Sequence, residues 1–120
     1  HPTKKYSLLA FKNIFTNKAA CIAVIRKEEQ TVNILELLSV NNEIAGRFLR
    51  ALEIDAYTSG SRQILIWLNR HDHIANTFTA SAYQIKEDIP LAVRIIDQNK
   101  LTETSFFKGY IYRMGDYDDN

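Results

Sequence analysis

The stretch from Ala19 to Gly60 constrains the fold most, because its hydrophobic period changes once, from that of strands to that of a helix. Ala19-Ala20-Cys21-Ile22-Ala23-Val24-Ile25 is an unbroken apolar run with β-branched members, as expected of a central strand covered on both faces. Lys27-Glu28-Glu29-Gln30 interrupts it with a polar turn, so the chain reverses as a hairpin. Thr31–Val40 is the return strand. Its alternation puts Leu35 and Leu37 on one face and Val32, Ile34, Leu38 and Val40 on the other, which Glu36 interrupts. The period then switches. Ile44, Phe48, Leu52 and Ala56, joined by Ala45 and Leu49, form a stripe of helical spacing, with Arg47, Arg50, Glu53 and Asp55 on the polar side. Asn41 or Asn42 can cap this helix, Glu43 suits its positive end, and Ser59-Gly60 closes it.

On either side the pattern is weaker. Tyr6–Phe11 reads as an edge strand, followed by a turn at Thr16-Asn17-Lys18. Gln63–Leu68 is a further buried strand ended by Asn69, and Asp72 can cap a second helix reaching Ser81. Beyond Tyr83 the chain runs extended through Pro90 into a strand at Leu91–Ile96. A polar connection, Asp97–Ser105, leads to a last strand around Phe106–Met114, and the carboxylate-rich tail Gly115–Asn120 reads as a solvated, partly disordered end. The order is β-β-β-α-β-α-β-β. It implies an α/β (α+β) fold with a mixed, mainly antiparallel sheet and two helices.

Composition narrows the function classes. The 120 residues suit a single domain, 1–120, able to bury one core. Lys+Arg 15 against Asp+Glu 14 leaves a net charge of +1, which gives no field favouring nucleic acid or an anionic membrane. The apolar runs fall far short of the ~20 residues of a membrane span. One cysteine, Cys21, cannot form an intramolecular disulfide, which fits a reducing, cytoplasmic setting. His1-Pro2 in place of Met is what a tag remnant, a processed end or a fragment of a longer chain would show.

The element order, with the segments Ile34–Leu52, Ile64–Tyr83 and Tyr110–Asp118, resembles the GNAT superfamily of N-acetyltransferases from its second strand onward. The resemblance implies that Thr31–Val40 is the family's fourth strand and Gln63–Leu68 the splayed fifth. It also implies that backbone donors at the intervening loop and helix hold the pyrophosphate of acetyl-CoA. A helix N-terminus is chemically suited to that task. The positions so implied for the cofactor are Leu38, Val40, Asn42, Ile44, Ala45 and Gly46, with Asn69 on the splayed strand's exit. The loop Val40–Gly46 is shorter than the family's, lacks its first glycine, keeps only Ala45 on a motif position, and carries Glu43 where phosphates would sit. Thr79 stands nearest the position of the family's general-acid tyrosine, Ala82-Tyr83 replaces its Gly-Phe pair, and Asp72 stands where an Asn is common. The family's first strand and its two substrate-covering helices would precede Tyr6. Tyr110–Asp118 is similar to the aromatic strand and Gly-Asp-x-Asp tail that closes some members.

Other constellations have plain alternatives. Glu36 on an apolar strand face can serve as general base toward an attacking amine, since burial disfavours a carboxylate's charged form; the alternative is an ion-paired or edge carboxylate. His71-Asp72-His73 reads as a cap and surface, not a metal site, because the imidazoles diverge and no cysteine completes a set. The acidic tail lacks calcium-loop spacing. Phe106, Phe107, Tyr110, Tyr112 and Trp67 can line a groove or pack a core, and Cys21 reads as an inert core thiol.

Two functions follow. In the first, acetyl passes from acetyl-CoA to a small-molecule or peptide amine, with Glu36 as base and backbone donors polarising the thioester. In the second, a catalytically degenerate GNAT-like module binds a ligand, completes a preceding domain of a longer chain, or forms a homodimer through its sheet edge.

Overall fold

The structure, a computed structural model, describes residues 4–13, 16, 18–67, 83–86, 91–96 and 109–119, with 4, 5, 13 and 109–119 described through their backbone only. Its elements are β1 (Lys4–Asn13), β2 (Ala19–Glu28), β3 (Thr31–Ser39), α1 (Asn42–Thr58), β4 (Gln63–Trp67), β5 (Gln84–Ile85), β6 (Leu91–Ile95) and β7 (Gly109–Asp119). The strands form one seven-stranded sheet in the order β5-β6-β4-β3-β2-β1-β7. Among the described strands only β3 and β4 pair in parallel, because α1 carries the chain back to the starting end of the sheet between them. The mixed, mainly antiparallel α/β fold expected from the sequence is the one observed. Asn69, the helix expected at Asp72–Ser81, His71–His73, Phe106 and Phe107 lie outside the described residues.

The β2–β3 hairpin turns through Glu29 and Gln30, with Glu29 in the left-handed region at φ 49. Gln30 also accepts from the backbone N–H groups of Arg62 and Gln63, at 2.7 and 3.3 Å, so the turn anchors the start of β4. Asn41 is the cap of α1: its Oδ1 accepts from the N–H of Ile44 at 2.8 Å. Ser59 and Gly60 end the helix, the latter at φ 89, where a residue without Cβ is favoured.

Phe48, Leu49, Leu52 and Ala56 on α1 pack over one sheet face, against Leu9, Phe11, Ala23, Ile25, Val32, Ile34, Leu37, Ile64 and Ile66. The rings of Phe11 and Phe48 meet edge to face at 6.3 Å. Completely burying a side chain such as Phe48 contributes roughly 1.5–3 kcal/mol before cavity costs.

Four expectations are corrected. β1 is interior, not an edge: β2 flanks it on one side and β7 on the other. β2 is not covered on both faces; Cys21, Ala23 and Ile25 are buried while Ile22 is exposed and Val24 half-buried. An antiparallel strand with α1 on one face needs only that face dry, so its apolar run overstates its burial. The tail around Asp116–Asp119 is not disordered backbone but the end of β7, with Asp118 and Asp119 opposite Lys5 and Lys4. Glu53, assigned to the polar side of α1, is buried.

Candidate functional site

The site is built around an irregularity in β3. Val24 lies opposite Glu36 and Ile25 opposite Ile34, so Leu35 has no partner on β2 and forms a β-bulge. One extra residue reverses the alternation. Val32 and Ile34 face the core before the bulge and Leu37 after it, while Glu36, Leu38 and Val40 are exposed. The strict alternation expected for Thr31–Val40 therefore fails at Leu35. Glu36, expected to be buried among apolar neighbours, is exposed beside Val24 on the face opposite α1, which removes the desolvation that the general-base reading invoked.

The bulge coincides with the parting of β3 and β4. Their parallel ladder pairs Thr31, Val32, Asn33 and Ile34 with Gln63, Ile64, Leu65 and Ile66 in that order, and ends at Ile34–Ile66. Beyond it, Leu35–Ser39 have no described strand on the β4 side, and Trp67, the last residue of β4, stands opposite Leu91 of β6. Among the described residues, the two parallel strands are therefore no longer paired at the end of β3 that leads into α1.

At that start, Val40 is fixed to β2 by its N–H on Ala20 O, at 3.0 Å. Of the helix's first donors, the N–H of Ile44 is taken by the Asn41 side chain and that of Ala45 by Asn41 O at 3.1 Å. Among the described residues no acceptor meets the N–H of Asn42 or Glu43, and these two donors are the ones open to an anion. Asn42 and Glu43 are exposed, Ile44 and Gly46 half-buried, and Ala45 completely buried beneath the first turn. The Glu43 carboxylate is held by Arg47 Nη2 at 2.7 Å, an exposed pair one turn apart. Its charge is thereby matched on the surface of the helix, and a phosphate arriving at the cap meets a guanidinium as well as a carboxylate.

Where β2 begins and β3 ends, Ala19, Ala20, Cys21, Ile22, Leu38, Ser39 and Val40 line an open groove of about 210 Å³. Leu38 and Val40 are 69% and 70% exposed and Ile22 38%. Beneath them Cys21 is buried, and burial pushes its thiol up to about 12, against a smaller opposing effect of the Ser39 hydroxyl. A thiol held protonated in this way is not a nucleophile. Ser39 itself donates to Asn41 O at 2.8 Å, linking the strand end to the cap.

A second buried group was not legible in the sequence. Arg94 Nε of β6 donates to Glu53 Oε1 of α1 at 3.1 Å, with side chains only 14% and 8% exposed. Tyr83 lies beside them, its hydroxyl held far toward the protonated form by burial and by the Glu53 charge, with Arg94 opposing. The only sequence signal was Arg94 breaking the apolar run Leu91–Ile96. Among the described residues no group of three or more His, Cys, Asp and Glu is placed to hold a metal ion, and no helix is long and apolar enough to cross a membrane.

Among the described residues the sheet is mixed, and its one parallel pair parts at a bulge beside the N-terminus of the crossover helix. The chain shares that fold with the GNAT acetyltransferase GCN5 of Tetrahymena. The superposition has a TM-score of 0.57 at 10% identity and covers 68% of this chain and 62% of that one. No family model matches the sequence, and no curated protein sequence does.

Proposed function

We propose that this chain is an acyl-CoA-dependent N-acyltransferase domain, taking acetyl-CoA as donor and a small-molecule or peptide amine as acceptor. The observation that carries this reading is the coincidence of the Leu35 bulge, the end of the β3–β4 ladder at Ile34–Ile66, and the open donors of Asn42 and Glu43. The residues fit the cofactor's chemistry. Its pyrophosphate would sit on the N–H groups of Asn42 and Glu43, with Arg47 within reach of the same turn. Its amide-bearing arm would lie along Leu38 and Val40, on the strand edge that β4 leaves. Ile44, Ala45 and Gly46 would support the turn rather than contact the phosphates, because two of their donors are already used.

Acetyl-CoA supplies an activated acyl group, so the protein's share is binding, orientation and management of one proton. Glu36, on the exposed face next to the bulge, would accept the proton of the attacking amine. The test is a thermal shift with acetyl-CoA: saturation at a hundred times the dissociation constant adds about 2.7 kcal/mol. No shift at millimolar cofactor would sink the proposal. If it binds, Glu36→Gln should lower turnover while leaving the shift intact.

A second reading has its own observation. The Asn41 side chain satisfies a donor that a phosphate would otherwise take, as in a helix that needs no ligand. On that reading the chain is a non-catalytic module, and the outer edge of β7 would serve pairing with a second copy or a preceding domain.

A further inference from the structure

We infer that two copies of this chain pair through the outer edge of β7, antiparallel about a two-fold axis between Met114 and Gly115, so that each Arg113 meets Asp116 of the second copy. Such pairing commits the β7 edge to one occupant and one register. It is compatible with acyl transfer and with a non-catalytic module alike, because the candidate site described above contains no residue of β7.

Among the described strands β7 runs for 11 residues beside β1 alone, whereas β5, at the opposite end of the sheet, has 2 residues. A long edge presents a row of backbone donors and acceptors, and natural sheets usually blunt it with proline or lysine. The sequence Gly109–Asp119 holds neither. Its register with β1 shifts at Met114, since Leu8 stands opposite Gly115 and Leu9 opposite Arg113. That extra residue reverses the alternation of faces along the edge.

The reversal decides which residues a second copy can meet. Arg113 and Asp116 stand opposite Leu9 and Ser7, on the sheet face that carries α1, while Tyr112 and Tyr117 stand opposite Ala10 and Tyr6, on the other face. In a two-fold pairing, opposed residues must share a face and every contact occurs twice. An axis between Met114 and Gly115 meets that condition: it sets Arg113 opposite Asp116 and Tyr112 opposite Tyr117, twice each. Shifting the axis by half a residue opposes residues of different faces. Shifting it by one residue opposes Asp116 to Ile111 or Gly115, with no charge to meet it. Within the chain, Asp118 and Asp119 already stand opposite Lys5 and Lys4, whereas Arg113 and Asp116 stand opposite no charged residue of β1. The pairing therefore brings opposite charges to the two charged positions of β7 that β1 does not match, and an aromatic pair to the other face. Residues 110–119 of the two copies would add about eight backbone hydrogen bonds. A net charge of +1 leaves little repulsion between copies.

Sedimentation velocity of the whole chain, from micromolar to millimolar concentration, should show a reversible monomer–dimer equilibrium. Arg113→Asp and Asp116→Arg each set two like-charged pairs across the axis, and each alone should weaken association by about tenfold or more. Mixed in equal amounts, the two variants regain both opposite-charge pairs and should associate as the unaltered chain does. Amide hydrogen exchange of the unaltered chain needs no variant: protection should rise with concentration in residues 110–119 and not in β5. A chain that stays monomeric at millimolar concentration overturns the inference. So does a dimer that either variant leaves unchanged, a mixture that associates no better than its components, or concentration-dependent protection confined to another element. Should a variant lose its native circular dichroism, the exchange measurement decides. The acetyl-CoA thermal shift is read separately: a monomer that keeps the shift removes the pairing alone, and a dimer without it removes only the transfer reading.

Discussion

Replacing Arg94 by Met tests how the helix is tied to the far side of the sheet. In the native protein Arg94 Nε donates to Glu53 Oε1 at 3.1 Å, across 41 positions of sequence and with both side chains largely out of water. Methionine keeps most of the volume of the arginine stem, so packing changes little and the main effect is electrostatic. Glu53 is left as a buried carboxylate without its guanidinium, next to a Tyr83 hydroxyl that burial already keeps protonated. Removing one partner of such a pair costs about 3–5 kcal/mol, against a typical domain stability of roughly 5–15 kcal/mol. Urea unfolding monitored by circular dichroism should show the midpoint falling with little change in slope. The companion Glu53→Leu/Arg94→Met variant removes both charges and should recover much of the loss, since apolar replacements of buried pairs are often neutral or better. A single Arg94→Met cost below about 1 kcal/mol, or a double variant no better than the single one, would refute the reasoning and mark the pair as solvated in solution.

Other predictions follow from local features. Asn41→Ala removes the bond to the Ile44 N–H and should cost about 1 kcal/mol in chemical unfolding; no loss would show that water caps the helix equally well. Gly60→Ala should destabilise by about 1 kcal/mol through its backbone alone, because φ is 89 and nothing lies within 4 Å of the added carbon. Phe48→Ala should cost about 3–5 kcal/mol, the largest single core loss on α1. For Cys21 the folded thiol loses its proton near 12 and the unfolded one near 9.0, so the native state holds the extra proton between them. Stability should therefore be intact below about pH 9 and fall as pH rises toward 12, less steeply in Cys21→Ala. An unchanged alkaline slope in that variant would place the loss elsewhere, with Tyr83 the next group to examine.

How much was legible divides along the range of the interactions. The limits of α1, a cap at one of Asn41 and Asn42, its Ser59-Gly60 exit and a reversal within Lys27–Gln30 were readable, although Lys27 and Glu28 still belong to β2, because each is decided within a few residues by backbone donors, φ preference and helical spacing. The parallel return of β4 was readable for the same reason, since a strand, a helix and a strand in succession leave few topologies. The candidate site was legible as a place, the strand-to-helix junction at Leu37–Gly46, but not as an arrangement of side chains.

What only the tertiary structure decided rests on register and distant partners. The bulge at Leu35 arises because β2 supplies one residue fewer than β3 across the same span, and no pattern within β3 alone reports that count. It reversed which of Glu36, Leu37 and Leu38 meets the core, turning an expected buried base into an exposed carboxylate beside an apolar groove. Glu53 entered the interior because Arg94 waits there, and Asp118 and Asp119 joined a strand because β1 offers them an edge. Local chemistry thus specified the elements, while long-range pairing specified their faces, and it is the faces that define what this protein can bind.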